Sequence, residues 1–112
     1  MTVSDILDHL SATVVCGETD KAFDGVYVGD LLSRAMSHVD ADNLFVTIMA
    51  NTNVIAVASL TEAAAVVLAE GVKLPEDALE AANTNGITVL SSPLSAYELC
   101  VRINASLSGD TK

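Results

Sequence analysis

The stretch Leu44-Phe45-Val46-Thr47-Ile48-Met49 is apolar at every position except the threonine. A short apolar run without alternation is typical of a parallel strand that has both of its faces covered by helices. Turn-forming residues at 40–43 precede the run, and polar residues at 51–53 follow it. The stretch therefore predicts a central strand of an α/β domain.

Segments with helical and strand patterns alternate on both sides of this run. The sequence predicts a helix over 2–10, a buried strand over 12–16, a short strand over 26–28, a helix capped by Asp30 and ending near Val39, a helix from Pro75 to Asn85, a strand over 87–90, and a last helix that starts at Ser92-Pro93 or at Ser95. This alternation predicts a three-layer α/β domain with a mostly parallel sheet and helices on both faces.

The middle of the chain allows two interpretations. Ser59 and Glu62 have the spacing of a capping box, which would begin a helix there and make the preceding apolar residues a strand. A cap at Asn51 or Asn53 would instead begin a helix that ends near Glu62, with a strand over 64–69. Periodicity does not separate the two, because both apolar runs are short.

Length and composition indicate one folded domain over residues 1–107, with 108–112 as a frayed tail. The chain has 112 residues, of which 51% are hydrophobic and 18% are charged. This hydrophobic fraction excludes a disordered chain and is high enough to form a core. No basic region followed by an apolar run begins the sequence, and no apolar stretch reaches the length of a membrane span, so we expect a cytoplasmic protein.

The charge balance argues against two classes of partner. Five basic residues stand against fifteen acidic ones, which gives a net charge of −10, and the basic residues are scattered along the chain. Nucleic acids and anionic membranes are bound through clustered Lys and Arg side chains. We therefore expect neither nucleic acid nor a membrane surface as a partner.

No catalytic constellation is recognisable. His9 and His38 fall on predicted helices, and Cys16 and Cys100 lie in separate apolar segments that are typical of buried free thiols. No nucleophile elbow, phosphate-binding loop or zinc-ligand spacing is present in the sequence. We therefore predict no catalytic residues, no metal site and no cofactor.

Glycines and small polar residues follow successive predicted strands. Gly25 and Gly29 bracket a short strand, and Asp30 comes next. Glycine lets the backbone approach a ligand closely, and a carboxylate accepts hydrogen bonds from hydroxyl or ammonium groups. Residues 51–53 leave the central strand, and Ser91-Ser92 leave the last one. Because parallel strands end at one edge of a sheet, we expect these segments to line one binding site.

Three stretches stand out for their order along the chain. They are GVYVGDLL at 25–32, AAVVLAEG at 64–71 and GITVLSSP at 86–93. In this order they resemble the DRTGG domain, a family related to the N-terminal domain of HPr kinase/phosphorylase. The resemblance extends from about Thr2 to Leu107, and we identify the chain as a standalone member with a degenerate motif.

The family pattern has an Asp-Arg pair after one strand and a Thr-Gly-Gly after the next. This sequence has Thr52-Asn53 at the first position, or Asn51-Thr52 if the register shifts by one, and Ala69-Glu70-Gly71 at the second. Only Gly71 matches. The arginine that could hold an anion is absent, and the carboxylate of Glu70 stands nearby.

The resemblance implies a fold like the N-terminal domain of HPr kinase, with a helix over about 53–62 and a strand over 64–69. It implies no enzymatic activity and a regulatory or ligand-sensing role, for which we expect a nucleotide or a phosphorylated metabolite as the ligand. The expected ligand-binding residues are Gly25, Gly29, Asp30, Asn51, Thr52, Asn53, Glu70, Gly71, Ser91 and Ser92.

A protein–protein interaction or homo-oligomerisation module without a small-molecule ligand is the alternative function. The hydrophobic content of 51% is high for a monomer of this size, and it predicts an apolar patch that a homodimer would cover. The expected partners are therefore a metabolite or nucleotide, a second copy of the chain, and a partner enzyme or regulator.

Overall fold

The computed structural model describes residues 1–108, in which helices and strands alternate along the chain. The elements are α1 (Val3–Ile6), β1 (Thr13–Cys16), β2 (Gly25–Val28), α2 (Leu32–His38), β3 (Asn43–Thr47), α3 (Thr52–Thr61), β4 (Ala65–Leu68), α4 (Glu76–Asn85), β5 (Val89–Ser91) and α5 (Ala96–Leu107). Of the predicted frayed tail, Ser108 is the C-cap of α5, and residues 109–112 lie outside the described residues.

The five strands form one sheet in the order β1-β5-β4-β3-β2. The strands β2 to β5 are parallel, and β1 pairs with β5 in the antiparallel direction. All residues of β3 and β4 are buried, which confirms the apolar run around Phe45 as a core strand. The predicted α/β fold with a mostly parallel sheet is thus confirmed.

Helices cover both faces of the sheet, as predicted. The helices α2, α3 and α4 pack on one face, where Val54, Ile55 and Ala82 are buried. The helices α1 and α5 pack on the other face through Ile6 and Leu99. The three connections between parallel strands all lie on the first face, because each strand is added to the sheet in the same direction and the crossovers keep one hand.

The middle of the chain follows the second of the two interpretations. The side-chain oxygen of Asn51 accepts a hydrogen bond from the Val54 N–H at 3.0 Å and begins α3. The competing capping box is not formed, because Ser59 lies inside α3 and Glu62 ends that helix in the left-handed conformation at φ 60°. The apolar residues that follow become β4 at the centre of the sheet, where they are buried on both faces.

Caps begin or end several helices where the sequence indicates. The Asp5 carboxylate accepts a hydrogen bond from the Thr2 N–H at 2.9 Å. Ser95 and Glu98 form a capping box that begins α5, so this helix starts at Ser95 and not at Ser92-Pro93. Gly86 ends α4 at φ 67°, a conformation that glycine adopts at low cost.

Two expectations at the sheet margins are wrong. The strand β1 is not buried, since Thr13 and Val14 are exposed and the strand has only one neighbour, β5. Asp30 does not cap α2, which begins after Leu31 without a side-chain cap. In both places the local sequence indicates a feature that the tertiary structure does not form. Strand pairing leaves β1 at the edge of the sheet, and Asp30 lies outside the cap of α2.

Several large apolar side chains of the helical regions are exposed. Leu31 and Met36 of the α2 region are 61% and 44% exposed, and Tyr97 and Leu107 of α5 are 78% and 38% exposed. Leu31 and Met36 are exposed because α2 lies at the margin of the sheet, where Ala35 is its only buried residue. Over residues 1–108, none of the helices is long and apolar enough to cross a membrane.

Candidate functional site at the carboxyl edge of the sheet

The carboxyl edge of the sheet is the edge at which β2, β3, β4 and β5 end, and it consists of residues 29–31, 48–51, 69–75 and 91–95. The fold brings the predicted binding residues to this edge or to the start of the adjoining helix α3, with one exception. Gly25 begins β2 opposite Asn43, at the other end of the strand. A Cβ at Gly25 would lie 2.8 Å from the Asn43 side-chain oxygen, so this glycine allows close packing there.

Asp30 joins the ends of two parallel strands. Its carboxylate accepts hydrogen bonds from the Thr47 hydroxyl at 2.8 Å and from the Ile48 N–H at 3.0 Å. The Thr47 hydroxyl oxygen in turn accepts a hydrogen bond from the Met49 N–H at 3.1 Å. One carboxylate oxygen of Asp30 is therefore committed to the loop after β3. Next to it, the Gly29 N–H donates a hydrogen bond to the Val46 carbonyl at 3.1 Å.

The start of α3 carries the donors of this edge that suit an anion. The first N–H groups of a helix have no acceptor within the helix, and Asn51 satisfies the one at Val54. The side chains of Thr52 and Asn53 are exposed beside the other N–H groups of this first turn. Helix N-termini carry partial positive charge, so this position favours a phosphate or a carboxylate group.

Backbone hydrogen bonds hold the loop after β4 to the loop after β5. The Glu70 N–H donates to the Leu94 carbonyl and the Gly71 N–H donates to the Ser92 carbonyl, both at 2.8 Å. Both residues adopt the left-handed conformation, at φ 59° for Glu70 and 70° for Gly71. Their N–H groups are thus occupied, and what Glu70 offers a ligand is its exposed carboxylate.

The two serines after β5 differ in their availability. Ser92 is 1% exposed, and its hydroxyl donates to the Leu10 carbonyl at 2.7 Å and accepts from the Leu94 N–H at 3.1 Å. Ser91 is half-buried, and its hydroxyl lies 3.5 Å from the Val72 carbonyl oxygen. Ser92 therefore acts within the fold, whereas Ser91 borders the surface.

Lys73 is a candidate binding residue that sequence reasoning overlooked. It is exposed in the loop between β4 and α4, two residues beyond Gly71. The strands β3 and β4 are neighbours, so this loop and the start of α3 follow adjacent strands at one edge. A basic residue two positions after the glycine of the expected family signature was the signal available in the sequence.

Within residues 1–108, His38 and the two cysteines have surroundings that suit a structural role. The His38 ring nitrogen Nδ1 lies 2.9 Å from the Arg34 carbonyl oxygen, and its ring stacks on Tyr27 with centroids 6.3 Å apart. Burial raises the pKa of the Cys16 and Cys100 thiols, which disfavours the reactive thiolate. Within residues 1–108, no three His, Cys, Asp or Glu side chains group in a way that could hold a metal ion.

Comparisons with known proteins agree with this architecture. The family model described as the DRTGG domain matches residues 5–106. Among curated proteins, none matches the chain. One similar solved structure is that of the CBS and DRTGG domains of the regulatory region of Clostridium perfringens pyrophosphatase, complexed with the activator diadenosine tetraphosphate.

The structural similarity covers 95% of this chain and 46% of the pyrophosphatase chain, with a TM-score of 0.69 and 16% sequence identity. This chain therefore spans about half the length of the structure it matches. At this identity the comparison shows a shared fold.

Proposed function

The chain belongs to the DRTGG domain family, and on that premise we propose that it is a non-catalytic regulatory domain that binds a nucleotide or a phosphorylated metabolite at the carboxyl edge of its sheet. The observation that carries the proposal is the capped start of α3, which presents backbone donors beside the exposed Thr52 and Asn53. The pyrophosphatase region of similar fold, which binds a nucleotide activator, makes this ligand class the first to test.

The ligand's phosphate would lie at the start of α3. Backbone N–H groups and the helix dipole favour an anion there, and Lys73 in the neighbouring loop supplies a full positive charge. These groups take the place of the arginine that the family signature would provide. The net charge of −10 opposes anion binding at long range, so a local cation is needed for affinity.

The rest of the ligand would contact acceptors. Nucleotides carry ribose hydroxyls and base amino groups, which donate hydrogen bonds. The exposed carboxylate of Glu70 and the hydroxyl of Ser91 lie at the same edge and can accept them. Asp30 would hold the loop after β3 in place, since one of its carboxylate oxygens accepts hydrogen bonds from Thr47 and Ile48.

Thermal unfolding followed with a dye tests the proposal, because the chain has no tryptophan. AMP, ATP and diadenosine tetraphosphate would be compared at matched ionic strength. A ligand at a hundred times its Kd adds about 2.7 kcal/mol to the free energy of unfolding, which raises the midpoint by several degrees. Lys73→Gln should reduce the shift, whereas Lys21→Gln, which removes the same charge at the other edge, should retain it.

Two outcomes would reject the nucleotide site. In the first, none of these nucleotides shifts the midpoint or gives heat in calorimetry. In the second, Lys73→Gln and Lys21→Gln reduce the shift equally, which would indicate a response to overall charge. A loss confined to Lys73→Gln would place the phosphate at the carboxyl edge.

An interaction or homo-oligomerisation module is the second candidate function. Large apolar side chains are exposed at the carboxyl edge and on α5, and they include Leu31 at 61% and Tyr97 at 78%. A second copy or a partner enzyme that covered them would gain hydrophobic burial. Sedimentation at micromolar concentration separates the forms, since a single species of 11.6 kDa would reject the homo-oligomer.

A further inference from the structure

The strand β2 lies at one margin of the sheet and has a strand neighbour, β3, on one side only. Its pairing with β3 runs in unbroken register from Gly25 to Val28. The Gly29 N–H donates to the Val46 carbonyl at 3.1 Å, so the odd-numbered residues of this segment direct their N–H and C=O groups toward β3. The N–H and C=O groups of Val26 and Val28 therefore point away from the sheet, and Val28 is 47% exposed.

The strand at the opposite margin of the sheet is protected against further pairing, whereas β2 is not. The register of β1 against β5 shifts between Val14 and Cys16, as it does at a bulge. Bulges, prolines and lysines are features that keep edge strands from pairing with other chains. The pairing of β2 has no register shift, and residues 22–33 contain no proline, lysine or arginine. A regular free edge of this kind is a template for an added strand.

The chain's own N-terminus already pairs with the residues that lead into β2, in the antiparallel direction. The Phe23 N–H donates to the Met1 carbonyl at 3.2 Å, whereas the next N–H, that of Asp24, donates to the Asp42 carbonyl before β3 at 3.1 Å. Because these consecutive N–H groups point to opposite sides, Met1 lies on the outer side, away from β3. A strand added antiparallel to β2 would continue this pairing along the same edge.

The charges beside β2 favour a basic partner. Asp24 precedes the strand and Asp30 follows it, both are exposed, and the net charge of the chain is −10. If a second copy added its own β2 in an antiparallel pairing centred on Tyr27, Asp24 of each copy would lie opposite Asp30 of the other. Like charges that face each other destabilise a strand pair. A strand with basic residues at these two positions would instead meet the opposite charge at both ends.

The two faces of an added strand would meet different surfaces. Val26 packs into the core cluster beneath α5, and Val28 lies on the same face because side chains alternate along a strand. Tyr27 is on the other face, where its ring lies 6.3 Å from that of His38 and 6.0 Å from that of Phe45 between centroids. The positions opposite the two valines therefore suit apolar β-branched side chains, which pair well across strands.

We propose that the free edge of β2 binds an extended segment of a partner protein as an added antiparallel strand. Apolar side chains of that segment would lie opposite Val26 and Val28, and basic side chains would lie opposite Asp24 and Asp30. Hydrogen bonds to the outward backbone groups of the two valines supply affinity, and the charges select the segment. The proposal does not depend on the nucleotide function, because it uses the backbone of β2 and not the start of α3.

The peptide acetyl-KTVTVTK-amide is the probe, because its two lysines have the spacing of Asp24 and Asp30. Its valines would lie opposite Val26 and Val28. Fluorescence anisotropy of the labelled peptide should show saturable binding, and the amide signals of residues 24–30 should shift in spectra of the ¹⁵N-labelled chain. N-methylation of both valines removes the peptide N–H groups that face β2 and should abolish binding. N-methylation of the first and last threonines, whose N–H groups face away, should leave the affinity unchanged.

Two substitutions in the chain test the same contacts from the other side. Val28→Pro removes an outward N–H and should weaken binding by about tenfold or more, since a hydrogen bond is left unmade, whereas Val28→Thr should retain the affinity. Asp24→Asn should weaken binding by about two- to fivefold, as expected for an exposed ion pair. Glu80→Gln removes one charge from an exposed position of α4 and is the matched control, with no change in affinity expected. Spectra of each variant without peptide establish that it is folded.

Three results would overturn the proposal. The first is equal binding by the two N-methylated peptides, which would show that the backbone of the peptide is not recognised. The second is binding of acetyl-ETVTVTE-amide as tight as that of the lysine peptide, which would reject the basic partner. The third is a dimer in sedimentation that Val28→Pro dissociates and Val28→Thr does not, which would assign this edge to a second copy of the chain.

Discussion

The carboxylate of Asp30 and the hydroxyl of Thr47 are joined by a hydrogen bond of 2.8 Å. Thr47 ends β3 and Asp30 lies just beyond the end of the neighbouring β2, so the bond ties two adjacent strand ends together. The carboxylate also accepts from the Ile48 N–H, and this pair of bonds shapes the loop that leads into α3.

Asp30→Ala should lower the free energy of unfolding by about 1–2 kcal/mol, because hydrogen bonds to a charged group are stronger than neutral ones and this group is partly screened at the surface. Urea unfolding measures the loss. Asp24→Ala is the control, since no hydrogen bond to the Asp24 side chain is present in the described part of the chain. Equal stability of the two variants would contradict a structural role for Asp30.

Ser92→Ala should lower the free energy of unfolding by about 1–3 kcal/mol. The substitution leaves the Leu10 carbonyl and the Leu94 N–H without their buried partner. Ser91→Ala, which removes a hydroxyl at the long distance of 3.5 Å from its acceptor, should cost much less. If Ser92→Ala instead abolished nucleotide binding at unchanged stability, Ser92 would be a ligand contact.

Glu70→Gly should stabilise the fold by about 0.5–1 kcal/mol. Glu70 has a positive φ of 59°, which is unfavourable for a residue with a Cβ and accessible to glycine. The same change at Glu80, inside α4, should destabilise by about 1 kcal/mol because glycine weakens a helix interior. The urea unfolding midpoints show whether each variant is more or less stable than the unchanged chain. A loss of stability in Glu70→Gly would show that the carboxylate stabilises the loop.

The stability contributed by Asp5 should depend on pH. The Thr2 backbone N–H and the Thr2 hydroxyl donate hydrogen bonds that hold the pKa of the Asp5 carboxyl below its ordinary value of 3.8. A lowered pKa in the folded state means that this contribution is present above pH 3.8 and is lost as the pH falls through the folded-state pKa. The stability difference between the chain and its Asp5→Ala variant should therefore shrink in acid, and a constant difference would refute this linkage.

The type and order of the elements follow from local patterns in the sequence. The apolar run at Leu44 predicts a buried strand, Asn51 predicts a helix start, and Gly86 predicts a helix end, because periodicity and capping act over a few neighbouring residues. The family resemblance selected the correct interpretation of the middle segment. Local patterns did not show which strands lie at the margins of the sheet, and β1 is therefore more exposed than its apolar sequence indicates.

The composition of the site was less predictable. The rule that parallel strands end at one edge of a sheet predicted where most of the expected residues lie in the fold, but it treated their side chains as available. Only the tertiary structure decided that Asp30 is committed to Thr47 and that Ser92 is committed to Leu10, because these partners lie 17 and 82 residues away. It also placed Gly25 at the opposite edge and left β2 with a strand neighbour on one side only. The sequence by itself determined an α/β domain through short-range patterns, whereas hydrogen bonds between distant segments and the free edge of the sheet exist only after the strands have paired.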